Sequence, residues 1–145
     1  MKVLRRQSNN LVPRVLATAF AVAFLSSQAW AGAPTYTASY YTVESCLREG
    51  TSGIMANGRK LDDTKKTCAM WGYPFGTQVQ VTNINNGRSV LVTVTDRGPA
   101  KRLVKKGRII DLSKKAFTIL APLSQGIIPV EIKILPKGET WKTKR

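Results

Sequence analysis

The sequence predicts a mostly β domain, a small barrel of five or six short strands with one crossover helix. Two segments, residues 89–96 and 127–135, alternate apolar and polar side chains with the period of two that half-buried strands show. Between two apolar runs, Asn85-Asn86-Gly87 is typical of a tight hairpin turn. Helical spacing occurs after Ser113, and Pro122 stops it.

The predicted strands come in a regular order. Their segments are residues 37–42, 77–84, 89–96, 109–111 and 127–135. In the third segment Val90, Val92 and Val94 form one face, which we assign to the core. The short fourth segment ends at Asp111, and Ser113 is a favourable N-cap for the helix that follows. Leu112, Ala116, Phe117 and Leu120 are predicted to form the apolar face of that helix.

Residues 44–72 are predicted to form a long irregular loop, which contains both cysteines, Cys46 and Cys68. An even cysteine count in an exported chain favours a disulfide, and we predict that these two are joined. The alternative is a pair of free thiols in a thiol-disulfide enzyme, which needs closely spaced cysteines and a partner that lowers a thiol pKa. The sequence shows neither feature.

Residues 1–31 read as a secretory signal peptide. A basic start precedes the uncharged apolar run 15–25, and Ala29-Trp30-Ala31 is a small-x-small cleavage pattern. The alternative is a buried N-terminal helix. We therefore expect one exported domain, residues 32–145, located in the periplasm or outside the cell, with no stable membrane insertion after cleavage.

The chain is strongly basic, with a formal charge of +15 and no histidine. Such a charge indicates an acidic partner and says little about fold. Export and the absence of nucleic-acid-binding motifs exclude nucleic acid as the expected partner, which leaves an anionic membrane face and the acidic polymers of a bacterial wall. Residues 137–145 are read as a basic, solvated tail.

An ordered series of short motifs resembles the RlpA-like family. The series is Ala38-Ser39-Tyr40-Tyr41, Met55-Ala56-Asn57-Gly58, Pro74-Phe75-Gly76-Thr77, Val81-Thr82-Asn83, Asn86-Gly87-Arg88-Ser89-Val90, Asp96-Arg97-Gly98-Pro99 and Arg108-Ile109-Ile110-Asp111-Leu112-Ser113. The resemblance implies a six-stranded double-psi β-barrel, as in expansins and barwin-like proteins. It also implies an endolytic lytic transglycosylase that cleaves peptidoglycan glycan strands lacking stem peptides. We expect a monomer with neither metal nor cofactor.

The resemblance places the chemistry on acids that follow strands. Asp111 corresponds to the catalytic Asp of related barrels, and Asp96 with Arg97 is expected to point into a surface groove. A lytic transglycosylase needs one carboxyl group, because the sugar's own 6-hydroxyl replaces water, whereas a hydrolase needs a pair of carboxylates. Glu44 is a further candidate near the groove, and Asn57 belongs to a groove motif.

Two positions depart from the family pattern. Arg59 stands where the family has Glu, and Met70 stands where it has His, both at positions that line the family's groove. Neither residue can transfer a proton at neutral pH. Tyr40, Tyr41 and Trp71 are predicted to offer stacking faces to sugar rings. The alternative function is therefore a non-catalytic glycan-binding or wall-loosening module of the expansin or barwin type.

Overall fold

The computed structural model describes residues 36–138. Its strands are β1 (Tyr36–Tyr41), β2 (Thr67–Met70), β3 (Gln78–Asn83), β4 (Ser89–Asp96), β5 (Arg108–Ser113) and β6 (Ile128–Leu135). Its helices are α1 (Val43–Arg48), α2 (Lys101–Val104) and α3 (Lys114–Leu120). Within this part of the chain no helix has the length and apolar character needed to cross a membrane. The predicted signal peptide and the end of the basic tail lie outside the described residues.

The six strands close into a barrel in the order β1-β5-β2-β4-β3-β6, which confirms the mostly β barrel. β1 pairs with β5 and β2 with β4 in parallel, and the remaining neighbours are antiparallel. The predicted hairpin joins β3 to β4. Its turn uses Gly87 at a φ of +70°, a conformation that glycine adopts without steric cost, and the Gly87 N–H donates to the Asn83 carbonyl oxygen.

The barrel interior is filled by the inward side chains of all six strands. Val90, Val92 and Val94 are at most 4% exposed, as their alternation predicts. The face of α3 that carries Phe117 is fully buried, so this helix covers part of the core. The Phe117 ring lies 4.9 Å from the ring of Tyr40, centroid to centroid.

The segment predicted as one long loop contains two regular elements, α1 and β2. Thr42 and Ser45 form a reciprocal cap at the start of α1, each side chain accepting the other's backbone N–H at 3.0 Å. Since α1 has six residues and α2 has four, neither is long enough to show a helical period, and the prediction of a single helix was wrong.

The predicted end of the fourth strand also needs correction. β5 continues to Ser113, so Asp111 lies inside a paired strand and not at its end. Ser113 occupies the N-cap position of α3 as predicted, but its hydroxyl does not cap the helix. It donates instead to the Lys65 carbonyl oxygen at 2.6 Å and accepts from the Thr67 N–H at 3.2 Å, which ties β5 to the start of β2.

The predicted disulfide is absent, and both cysteines are free thiols. Cys68 points into the core and is 0% exposed. Cys46 lies on α1, which buries none of its residues, and it shares an outer groove with Ala69. Successive side chains of a strand point to opposite faces, so Cys68 and its neighbour Ala69 face opposite sides of β2. The two thiols are thus separated by the barrel wall.

We expect a thiol reagent to modify one cysteine of the native protein. Cys46 is half-buried and should react slowly at neutral pH, because burial raises the pKa of its thiol. Cys68 should react only after unfolding, since burial raises its pKa to about 12. Counting reactive thiols with and without denaturant tests this, and Cys46→Ser should remove the native-state signal. If the unreduced protein were two hydrogens lighter than the reduced protein, the two cysteines would be joined by a disulfide after all.

Candidate active site

Asp111 lies in the middle of β5, held between two neighbouring strands. Its register partners are Ser39 on β1 and Ala69 on β2. Because Ile110 and Leu112 on either side of it point into the core at 0% exposure, the Asp111 side chain points outward. It is nevertheless only 16% exposed. The barrel wall therefore presents a nearly buried carboxyl group to an outer groove.

The two oxygens of this carboxyl group have different surroundings. Oδ1 accepts a hydrogen bond from the Ser39 hydroxyl and lies 3.5 Å from Nε of Arg108, a separation that suits an ion pair better than a hydrogen bond. Oδ2 accepts no hydrogen bond from residues 36–138. Burial raises the pKa of Asp111 above its usual range, and the Ser39 hydrogen bond and Arg108 oppose that rise only in part. Asp111 is thus suited to exchange a proton through Oδ2.

The groove above Asp111 has a volume of about 340 Å³. Tyr41, Glu49, Asp96 and Pro99 are among the residues that line it. At Gly98 an added Cβ would lie 3.4 Å from Cβ of Ala69 and 3.6 Å from Oδ2 of Asp111. These are ordinary van der Waals distances, so space alone does not exclude a side chain at this position. The φ of Gly98 is +154°, a backbone conformation that L residues with a side chain rarely adopt, and this accounts for the glycine of the Asp-Arg-Gly-Pro motif.

Two further carboxyl groups line the same groove. Oδ1 of Asp96 accepts the backbone N–H groups of Ala56 and Arg97, both at 2.8 Å, so this carboxylate anchors the loop around residue 56 to the end of β4. Glu49 follows α1 as its C-cap, and its charge adds to the rise in the pKa of Asp111. No sequence pattern points to Glu49, because its position depends on α1, a segment predicted as loop.

An aromatic rim stands beside the groove. Trp71 is 41% exposed, and its Nε1 donates to the carbonyl oxygen of Pro99 at 2.7 Å, which fixes the indole at the groove edge. Arg97 also lines the groove. Its Nη1 donates to the Tyr73 carbonyl oxygen at 3.1 Å, and its guanidinium carbon lies 3.8 Å from the centre of the Phe75 ring. Arg97 therefore lines the groove, and Trp71 lies against Pro99, one of the groove residues.

Three other predicted site residues differ in their position relative to the groove: Tyr41 lines it, whereas Glu44 and Asn57 do not. Tyr41 lines the groove, and its hydroxyl is buried without a partner within residues 36–138. Burial raises the pKa of Tyr41, with a further contribution from Asp96, so the phenol stays protonated. Glu44 pairs with Arg48 at 2.6 Å on the exposed side of α1 and is not among the groove residues. Asn57 accepts the Arg59 N–H at 3.0 Å within its own turn.

The structure places three other predicted substrate-contact residues outside the groove of Asp111. Tyr40 packs on the core against Phe117, since it points to the opposite face of β1 from Ser39 and Tyr41. Met70 is 6% exposed and belongs to the core, so it cannot reach a ligand in the groove. Arg59 is exposed and lines a neighbouring groove. Within residues 36–138 no cluster of His, Cys, Asp or Glu could hold a metal ion.

Comparison with known proteins places the chain in a family. An endolytic peptidoglycan transglycosylase RlpA of Rickettsia felis is 46% identical over 87 residues, covering 60% of this chain and 36% of the relative. A probable endolytic peptidoglycan transglycosylase RlpA of Nostoc sp. is 45% identical over 80 residues, covering 55% of this chain and 20% of the relative. The chain thus spans about a third or less of the length of these relatives.

Structure and family comparisons agree on the fold. A Streptomyces papain inhibitor superposes with a TM-score of 0.53 at 28% identity, covering 70% of this chain and 93% of that protein. The family model described as lytic transglycolase matches residues 34–132, which is most of the chain. The chain therefore belongs to the lytic transglycolase family of double-psi β-barrel proteins.

Proposed function

We propose that this domain is an endolytic peptidoglycan lytic transglycosylase that acts on the cell wall after export, as a monomer. Its products end in 1,6-anhydro-muramic acid, and it prefers glycan strands lacking stem peptides. The observation that carries the proposal is Asp111, a nearly buried carboxyl group with a raised pKa at the floor of an open groove. The names of the RlpA relatives support the same reaction.

In the proposed reaction Asp111 acts twice. Its protonated Oδ2 donates to the glycosidic oxygen as the bond from that oxygen to the anomeric carbon of muramic acid breaks. The resulting carboxylate then takes the proton of the 6-hydroxyl of the same sugar, whose oxygen bonds to the anomeric carbon and closes the anhydro ring. The proton taken from the 6-hydroxyl restores the acid, so no water is consumed.

The surrounding residues have positioning roles in this proposal. Ser39 occupies Oδ1, which directs the transferable proton to Oδ2 on the groove side. Asp96 is a second catalytic candidate, but the two amides bound to Oδ1 favour its role as an anchor of the groove wall. Trp71 and Tyr41 contact sugar rings at the rim and in the groove, because the C–H faces of pyranoses pack well on aromatic rings.

A second candidate function is a glycan-binding or wall-loosening module without cleavage. It is favoured by Arg59 and Met70, which stand where the family resemblance implies Glu and His. With Met70 in the core and Arg59 outside the groove of Asp111, neither position supplies a proton donor to that groove. A module of this kind binds sacculi and releases no sugar.

We expect incubation with purified sacculi or peptide-free glycan to release fragments ending in 1,6-anhydro-muramic acid. Mass spectrometry distinguishes these ends from hydrolysed ends, which are heavier by one water. Since the proposed reaction uses no water, fragments formed in H₂¹⁸O should carry no label. Labelled reducing ends would overturn the reaction type, and retention on sacculi without fragments would favour the binding module.

A further inference from the structure

A second, larger groove lies on the outside of the barrel next to the groove of Asp111. Its volume is about 580 Å³. Leu91 and Thr93 on the outer side of β4 belong to its floor, and the segment between α1 and β2 forms its rim. That rim carries four cations, Arg59, Lys60, Lys65 and Lys66.

None of these four side chains forms an ion pair within residues 36–138. The ion pairs in this part of the chain are Arg48 with Glu44 and Arg108 with Asp111. One acid, Asp62, lines the groove, and its Oδ1 accepts the backbone N–H and the hydroxyl of Thr64 at 2.9 and 2.6 Å. That carboxylate keeps its negative charge, because the Thr64 hydrogen bonds and the nearby Lys65 lower the pKa of Asp62. Four cations thus face one anion, and the groove keeps a net positive field.

The two grooves adjoin at the segment 55–57, which is hydrogen-bonded to the end of β4. Met55 lines both of them, and the Ala56 N–H beside it is bound by Asp96 from the first groove. An extended polymer that lies over Asp111 reaches the lysines by crossing this segment at Met55. Arg59 is part of this charge, at the position where the family resemblance implies a glutamate.

We propose that the basic groove is a second binding subsite for the glycan strand and that it recognises the strand's carboxylates. This inference rests on the proposed function for the identity of the polymer. Each muramic acid carries a lactyl group whose carboxylate is free when no peptide is attached. Strand carboxylates beyond the cleavage point then pair with Lys65, Lys66 and Arg59, while the sugar rings lie over Leu91 and Thr93.

The test compares binding of peptide-free glycan with binding of the same glycan after its carboxyl groups are converted to neutral methylamides. Every protein carries Asp111→Asn, so that the strands stay intact. The test variant is Lys65→Gln with Lys66→Gln, whose backbone bonds to the barrel do not involve the changed atoms. The matched control is Lys105→Gln with Lys106→Gln, an exposed pair outside both grooves that loses the same charge.

At low ionic strength we expect the test variant to bind unmodified strands about three- to tenfold more weakly, and adding Arg59→Gln should weaken binding further. The control pair should change affinity by less than about twofold. On the neutral strands, test and control variants should bind alike, and added salt should abolish the difference on unmodified strands.

Two results would overturn the proposed subsite. One is an equal loss of affinity in the test and control variants, and the other is that the protein with both lysine pairs intact binds neutral strands as tightly as unmodified strands. These readouts are independent of cleavage, so a failure of the proposed reaction would be seen separately in the product analysis.

Discussion

Asp111→Asn should reduce strand cleavage by between about 100-fold and 10,000-fold, the range that general acid–base groups contribute. Asn is nearly the same size as Asp and can still accept the Ser39 hydrogen bond through its oxygen, but it has no proton to exchange at the other position. The rate of formation of anhydro ends on peptide-free glycan measures the effect. Binding to the same glycan should persist.

The variant should not lose activity through unfolding. Burial raises the pKa of Asp111 in the folded state, so the stability that its protonated form contributes is fully present below the unfolded-state pKa. That contribution is lost as pH rises through the higher folded-state pKa. Above the folded-state pKa the wild type carries a buried carboxylate that the Asn variant lacks. Urea unfolding at those pH values should show the variant at least as stable, with the difference vanishing as pH falls below the unfolded-state pKa of about 3.9.

Two other substitutions test the choice of acid. Glu44→Gln removes a carboxylate outside the groove and should leave cleavage unchanged. Asp96→Asn keeps an oxygen for the two amides that Asp96 now binds, so it tests proton transfer while the loop anchor is retained. If Asp111→Asn still cleaved fully, the wrong acid would have been chosen, and Glu49 or Asp96 would replace it.

The barrel was largely predictable because its longer strands alternate strictly. In β4 and β6 apolar and polar residues alternate over eight residues, which distinguishes these segments from helix or loop. The Asn-Gly turn predicts the hairpin before β4. The short elements α1 and β2 were not predictable, since four to six residues hold too few repeats of any period.

A site residue was predictable only where the sequence around it was sufficient to identify it. Asp111 was identified because the residues around it match a motif of the family that the sequence resembles. Tyr40 and Tyr41 are adjacent and similar in character, and only the pairing register shows which of them reaches the groove. The cysteine pairing failed for the same reason, because an even count does not reveal that Cys68 points inward. Glu49 had no sequence signal, since its place depends on the fold of α1.

The largest effect on stability is expected at Phe117, the aromatic residue that docks α3 on the barrel. Its side chain is 0% exposed and contacts the ring of Tyr40 on β1. Phe117→Ala removes this contact and leaves a cavity between the helix and the strands. The free energy of unfolding should fall by about 3–5 kcal/mol, as for other buried Phe truncations.

Urea denaturation measures this loss as a lower midpoint. The neighbouring Thr118→Ala is the control, because Thr118 is exposed on the same helix and this substitution should change stability by less than about 0.5 kcal/mol.

Phe117 packs in the core and Asp111 faces the outer groove, so Phe117→Ala should keep its cleavage rate at temperatures where it remains folded. A loss below about 1 kcal/mol would mean that α3 does not contribute a tightly packed part of the core. Cleavage that fell while the fold persisted would instead show that helix packing and the position of Asp111 are coupled through β5, the strand that runs directly into α3.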